Sequence, residues 1–345
     1  MKERIVILAD KNLGPITSKM GNSVIRFAEK KVVAVIDRSK AGKVVNDVLG
    51  YGGNIPIHSS LEETLAYEPN TLLIGISPPG GALPSDWYSW IIEALQNKLH
   101  IVNGLHEHIS NIAEFKLLAE KYKVKIKDLR KYDGRDILAK GKAKNFRSKI
   151  ILTVGTHGNC GKMTATILMV KALQEMGRSA EWFATGQIGI FLQKRGLPLD
   201  AIKGDFISGI LEHHLAKIDG NYEFLFVEGQ GSLFHMAYSP VSLGIMHGCL
   251  PDAMILCHRP DIGINDFGVD TSNLKKAIEI NKSLLSIVKP SEITGIALNT
   301  YNFTEEKAKQ LISDTEKSTG LPTTDPVRFG SEVLVDSLTN YFGSK

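Results

Sequence analysis

Short apolar runs rich in β-branched residues recur along the first part of the chain at residues 4–9, 31–37, 71–76, 100–103 and 124–129, each the length of a strand. Between them, residues 87–97 and 109–121 carry apolar positions at three- and four-residue spacing, the mark of a helix with one buried face. Such alternation predicts a parallel sheet covered by helices on both sides. The pattern restarts at residues 150–154 and continues with strands at 180–184, 224–228, 253–257 and 293–298. Helices are predicted over 163–176, 207–218, 273–288 and 305–317.

The fold expected is therefore α/β throughout, with a Rossmann-like parallel-sheet domain over residues 1–147 and a second α/β domain over 148–345. At 345 residues the chain is long enough for each to bury its own core. Composition agrees: 43% of residues are hydrophobic and 23% charged, which excludes extended disorder and collagen-like repeats. Lys and Arg number 41 against 37 Asp and Glu, too small an excess to indicate a nucleic-acid partner. The excess is local, since residues 121–149 hold twelve Lys or Arg against three Asp. There Lys121, Lys123, Lys125 and Lys127 alternate with Tyr122, Val124 and Ile126, which predicts an edge strand with its lysines in water. A phosphate-attracting patch is the other reading. Three cysteines without C-x-x-C spacing and no apolar run of membrane-spanning length point to a cytoplasmic protein with no membrane partner.

The most specific chemical signal is the decapeptide Gly155, Thr156, His157, Gly158, Asn159, Cys160, Gly161, Lys162, Met163, Thr164, set between a predicted strand and a predicted helix. It reads as a P-loop of a P-loop NTPase-like domain: consecutive backbone N–H groups and the positive end of the helix surround a phosphate, and the Lys162 ammonium adds a point charge. The next residue is Met163, where a Ser or Thr would hold Mg²⁺; a thioether is a poor ligand for that ion. Thr164 comes one residue late, about 100° round a helix from the required position. Phosphate binding is kept, and the signature of nucleotide hydrolysis is weakened.

A second element, Phe224 to Val227 followed by Glu228, Gly229, Gln230 and Gly231, resembles a Walker B strand. In a parallel sheet its carboxylate faces the same crevice as the P-loop, where it can take a proton. Gly186 and Gln187, in the stretch Ala184-Thr185-Gly186-Gln187-Ile188-Gly189, read as a strand end and flexible turn at the same crevice. With Asp205, Gly229 and Gln230 they are candidates for substrate binding, although Asp205 reads equally well as a helix cap. Asn299 ends the strand over 293–298, where its amide suits an adenine edge or a turn. Glu228 and His235 are the candidate general bases, and His157 a further donor to a phosphate or thioester oxygen. Cys160, just before a helix, would allow an acetyl-enzyme, but direct transfer is preferred. The pair His106 and His108 lacks a third ligand at metal spacing, and no metal is expected.

The pattern G-T-x-x-x-x-G-K with V-E-G-x-G resembles the dethiobiotin synthetase and cobyrinate amidase branch of P-loop proteins. Taken with A-T-G-Q-x-G and the N-terminal alternation, G-T-x-x-x-x-G-K-M-T and V-E-G-Q-G are similar to the D-glutamate N-acetyltransferase family, long catalogued as predicted NAD-dependent epimerases. That resemblance implies acetyl-CoA as donor, the amine of a D-amino acid as acceptor, and a homo-oligomer by analogy. Two alternatives compete with it. One is a dethiobiotin synthetase-type ligase using ATP and Mg²⁺, with Asp205 and Glu228 on the metal. The other is an NAD-dependent epimerase or a non-enzymatic nucleotide binder. The epimerase needs a G-x-G-x-x-G turn after the first strand, where residues 10–15 instead read D-K-N-L-G-P; Asp37 alone stands where a ribose-binding acid would.

Overall fold

The computed structural model describes residues 3–343. The chain divides into two compact units, one formed by the residues up to Tyr132 together with 187–194, the other by 133–186 and the residues from 195 onward. The basic connector after Tyr132 thus lies with the second unit, and the short helix Gln187–Gln193 with the first.

The first unit is built on strands β1 (Ile5–Leu8), β2 (Val32–Ile36), β3 (Ile57–His58), β4 (Thr71–Ile74), β5 (His100–Asn103) and β6 (Ile126–Asp128). Their spatial order is β3-β2-β1-β4-β5-β6, and every pairing is parallel. β1 and β4 are buried along their whole length, which is why they read as continuous apolar runs rather than alternating ones. The lysine alternation is split between two elements. Lys121 closes the helix Ala113–Tyr122, Lys123 caps it in the left-handed region at φ 57°, and only the following residues reach β6 at the sheet edge. All four lysines are exposed, so the edge is charged as expected.

In a sheet of this order, ligands enter at the C-terminal ends of β1 and β4, where the strand order reverses. The Gly75 carbonyl, just past β4, accepts the Gly21 N–H at 2.8 Å and the Ser18 hydroxyl at 3.0 Å, closing the N-terminal end of the helix Lys19–Ala28. Asp37 is buried, and its carboxylate accepts the N–H groups of Lys11 at 3.1 Å, Leu13 at 2.9 Å and Ser39 at 2.9 Å, and the Ser39 hydroxyl at 2.6 Å. An acid so engaged fixes the loop after β1 and is not poised for a ribose.

The second unit contains β7 (Lys149–Gly155), β8 (Ala180–Phe183), β9 (Phe224–Val227), β10 (Ala253–His258), β11 (Glu292–Leu298) and β12 (Thr323–Thr324), in the parallel order β12-β11-β10-β7-β9-β8. β7 is central, so the loops after β7, β8, β9, β10 and β11 all emerge at one sheet edge. The connector is tied to this unit: the Lys140 N–H reaches Glu212 Oε1 at 2.8 Å, and Lys203 pairs with Asp136 at 2.7 Å. Among the described residues no helix is long and apolar enough to cross a membrane.

Sequence periodicity missed the two-residue edge strands β3 and β12, which are too short to show a period. It also passed over Gln187–Gln193, read as a flexible turn because of its flanking glycines, and Ser239–Cys249, whose Pro240 reads as a breaker. Proline is tolerated in a first turn because the N–H it lacks has no helical partner there.

Because Asp37 anchors three backbone N–H groups, Asp37→Ala is expected to cost on the order of 3 kcal/mol of stability, measured by urea unfolding. Loss of less than about 1 kcal/mol would show that the loop after β1 holds without it.

Candidate functional site

The loop after β7 forms a compact turn ahead of the helix Lys162–Glu175. Gly161 precedes that helix at φ 97°, a conformation that side-chain-bearing residues rarely adopt, so glycine is required at the turn into the helix. The Thr156 N–H donates to the Cys257 carbonyl at 3.1 Å, and its hydroxyl meets His258 Nδ1 at 2.8 Å, fastening the loop to the end of β10. Lys162 is 5% exposed, and its ammonium donates to the His157 carbonyl at 2.9 Å and the Gly158 carbonyl at 3.4 Å. Cys160 is buried, and its thiol donates to the His157 carbonyl at 3.0 Å. Asn159 is exposed and donates its N–H to His157 Nδ1 at 3.2 Å; Met163 and Thr164 are half-buried on the first helical turn. The Asn299 amide lies 3.9 Å from where a Gly161 Cβ would stand, so the end of β11 borders the same loop.

A chain of buried hydroxyls joins this loop to the turn after β9. The Gly229 N–H donates to Thr153 Oγ1 at 3.2 Å, Thr153 Oγ1 meets Thr166 Oγ1 at 3.0 Å, and the Thr166 hydroxyl donates to the Lys162 carbonyl at 2.9 Å. Thr166 spends its one proton on Lys162, so Thr153 must be the donor between the two hydroxyls. Gly229 permits this close approach, since a Cβ there would lie 1.8 Å from the Thr153 carbonyl oxygen and 3.2 Å from the Lys162 stem.

Beside Gly229, the two motifs read from the sequence close on one carboxylate. Glu228 is 4% exposed; its Oε2 accepts the Thr185 N–H at 3.2 Å and its Oε1 accepts the Gln230 amide at 3.1 Å. The Thr185 hydroxyl donates to the Glu228 carbonyl at 2.7 Å, and Gln230 lies over Gly186, with Nε2 at 2.6 Å from the position of a Cβ there. Gly186, Glu228, Gly229 and Gln230 therefore belong together.

Asp205 does not join them. Gln187 begins a helix of the first unit, with its side-chain stem against Gly104, 3.1 Å from where a Cβ would be. Asp205 is exposed in the turn Gly204–Phe206 and forms no cap bond.

His235 lies at the rim of the loop. Its ring is 6% exposed, stacks on Tyr238 with centroids 4.2 Å apart, meets the Phe267 edge at 4.7 Å, and stands 6.3 Å from the His157 ring. Phe267 is held there by Asn265, whose amide donates to the Phe234 carbonyl at 2.7 Å and whose Oδ1 accepts the Phe267 N–H at 3.0 Å. Tyr238, Asn265, Phe267 and His258 were not singled out from the sequence. Only His258, at a strand end of the P-loop sheet, carries a signal by position. Burial lowers the His157 imidazole below its ordinary value; Asp266 pulls it up, while Lys162, His235 and Arg259 add to the lowering. His106, by contrast, meets Arg130 at 2.9 Å in the first unit.

Breaking the hydroxyl chain with Thr166→Val should destabilise the protein by roughly 1–3 kcal/mol in chemical denaturation, because Thr153 and the Lys162 carbonyl lose a buried partner. Burial also pushes the His258 imidazole down to about 4 from 6.5. Between those values the unfolded chain binds a proton that the folded chain does not, so stability present above pH 6.5 is lost as the pH falls toward 4. A loss on the order of 3 kcal/mol is expected across that window. His258→Asn, which keeps a partner for Thr156 without the titration, should flatten it in thermal melts.

Comparison with known proteins agrees with this architecture. Residues 38–132 match the family model described as a domain of unknown function, DUF1611_N, Rossmann-like domain, and residues 137–335 match DUF1611_C, P-loop domain. A D-glutamate N-acetyltransferase from Tritonibacter scottomollicae is 34% identical over 84% of this chain and 87% of its own length. Another, from a Pseudoalteromonas species, is 32% identical over 81% and 84%. The crystal structure of a DUF1611 family protein from Anabaena variabilis ATCC 29413 superposes with a TM-score of 0.94 at 35% identity, covering 98% of this chain and 99% of that one. With its paired parallel sheets, its P-loop and this extent of similarity, the chain belongs to the DUF1611 family, which it shares with the D-glutamate N-acetyltransferases.

Proposed function

We propose that the protein is an N-acetyltransferase that moves the acetyl group of acetyl-CoA to the amine of a D-amino acid, D-glutamate or a close analogue. The observation that carries the reading is the near full-length similarity to two proteins of that name, in a chain whose P-loop, Glu228 and Gln230 are assembled at one sheet edge. CoA carries a diphosphate and a 3′-phosphate, and the loop over residues 155–164 supplies the backbone donors and the Lys162 ammonium that such groups need. Met163 supports the choice of CoA over ATP with Mg²⁺, because binding a diphosphate for anchorage makes no demand for a hydroxyl on the metal.

In the reaction the amine nitrogen attacks the thioester carbon, the C–S bond breaks, and CoA leaves as the thiol once the ammonium proton has been passed to it. A proton acceptor for the amine is required. Glu228 is our candidate, held in place by Thr185 and Gln230. Because the thioester lies a whole pantetheine arm away from the diphosphate, this role requires the arm to turn back toward β9. Cys160 is an unsuitable acyl carrier, since its thiol is buried and engaged with the loop carbonyl of His157.

Incubation with acetyl-CoA and a panel of D- and L-amino acids, followed by mass spectrometry and thiol release, is expected to give the N-acetyl D-amino acid. No transfer to any of them would overturn the reading. Lys162→Ala should weaken acetyl-CoA by about 10- to 100-fold in calorimetry while the ligand-free protein stays folded. Unchanged affinity would remove the loop from the donor site.

A further inference from the structure

The imidazoles of His157 and His235 share a feature that a base at this place would lack. His157 Nδ1 accepts the Asn159 N–H at 3.2 Å, so the proton of its neutral ring sits on Nε2. His235 Nδ1 is buried and has no partner. A proton there would be a donor out of water with no acceptor, a costlier arrangement than an unused lone pair, so this ring too carries its proton on Nε2. To accept a proton at Nε2 a histidine must first hold one at Nδ1, and neither ring is built for that. Both Nε2–H groups are without a protein partner among the described residues. The rings stand 6.3 Å apart at 74°, one inside the P-loop and the other clamped by Tyr238 and Phe267. Rings 6.3 Å apart are close enough for one phosphate group to meet a donor from each. Lys162 lies near enough to favour an anion there and Asp266 to oppose it, while Arg259 and Asp261 are paired with each other at 2.8 Å and 2.6 Å.

We infer that His157 and His235 form a second phosphate subsite beside the P-loop, each donating from Nε2, and that His235 binds donor rather than acting as the general base. This rests on the acetyl-CoA reading for the identity of the ligand but not for the chemistry of the pair. Groups at the loop rim meet the phosphates of CoA, and they reach the acetyl end only if the arm doubles back.

The test combines binding with tautomer assignment on the full chain. Long-range ¹H–¹⁵N NMR should show the Nε2–H form at both histidines; the Nδ1–H form at His235 would overturn the inference. His235→Ala should weaken CoA by about tenfold or more, whereas His235→Gln, whose amide nitrogen falls where Nε2 stood, should keep most of the affinity. If glutamine binds as poorly as alanine in a folded protein, the donor role is wrong. If alanine slows acetyl transfer at saturating donor with CoA affinity unchanged, His235 is a base after all and the subsite falls. Measuring 3′-dephospho-CoA in parallel separates the sources: a loss confined to CoA assigns the 3′-phosphate, and equal losses assign the diphosphate. Should the wild-type protein bind ATP and not CoA, the acetyltransferase reading fails, and the same variants titrated with ATP still decide whether the pair holds a phosphate.

Discussion

The site depends on how closely the turn after β9 approaches β7. That approach is possible because residue 229 has no side chain, and it is locked by two threonine hydroxyls that pass hydrogen bonds in one direction, from the Gly229 N–H through Thr153 and Thr166 to the Lys162 carbonyl. Every donor and acceptor in that relay is buried and satisfied, a condition under which a polar network rigidifies a core rather than weakening it. Its consequence is geometric. The Lys162 stem lies against Gly229, so the Lys162 side chain and the carboxylate of Glu228 are set by the same piece of backbone.

The two parallel sheets differ in topology, because the second and third strands of each unit exchange places between them. In the first, the Gly75 carbonyl past β4 closes the N-terminal end of the helix Lys19–Ala28, and the acid after β2 is engaged by the loop after β1. In the second, the helix after the central strand starts from a glycine turn, with the Lys162 ammonium folded onto the carbonyls of its own loop. Lysine–carbonyl bonds of this kind can be exchanged for bonds to an incoming anion. The fold class is common to both units.

Much of this was legible in the residues. The buried strands announced themselves as apolar runs, and the glycines around Lys162 and Glu228 marked the places where backbone must approach backbone. What stayed hidden has physical causes. Two-residue strands at sheet edges are too short to carry a period. Gln187 reads as part of a flexible turn because it follows a strand between glycines, yet it starts a helix with its side-chain stem against Gly104. The aromatic clamp on His235 is assembled by Asn265, far along the chain, through bonds to the Phe234 carbonyl and the Phe267 N–H that no local pattern encodes. The burial of His235 Nδ1 without a partner is likewise set by this distant packing and carries no local signal.

A P-loop that grips a diphosphate without needing a metal should bind acetyl-CoA with or without Mg²⁺. Isothermal titration of acetyl-CoA and of ATP, each with Mg²⁺ and with a chelator, should then give saturable acetyl-CoA binding of equal affinity in both conditions. Acetyl-CoA that fails to bind, beside ATP that binds only when Mg²⁺ is present, would refute metal-free anchorage of CoA by this loop.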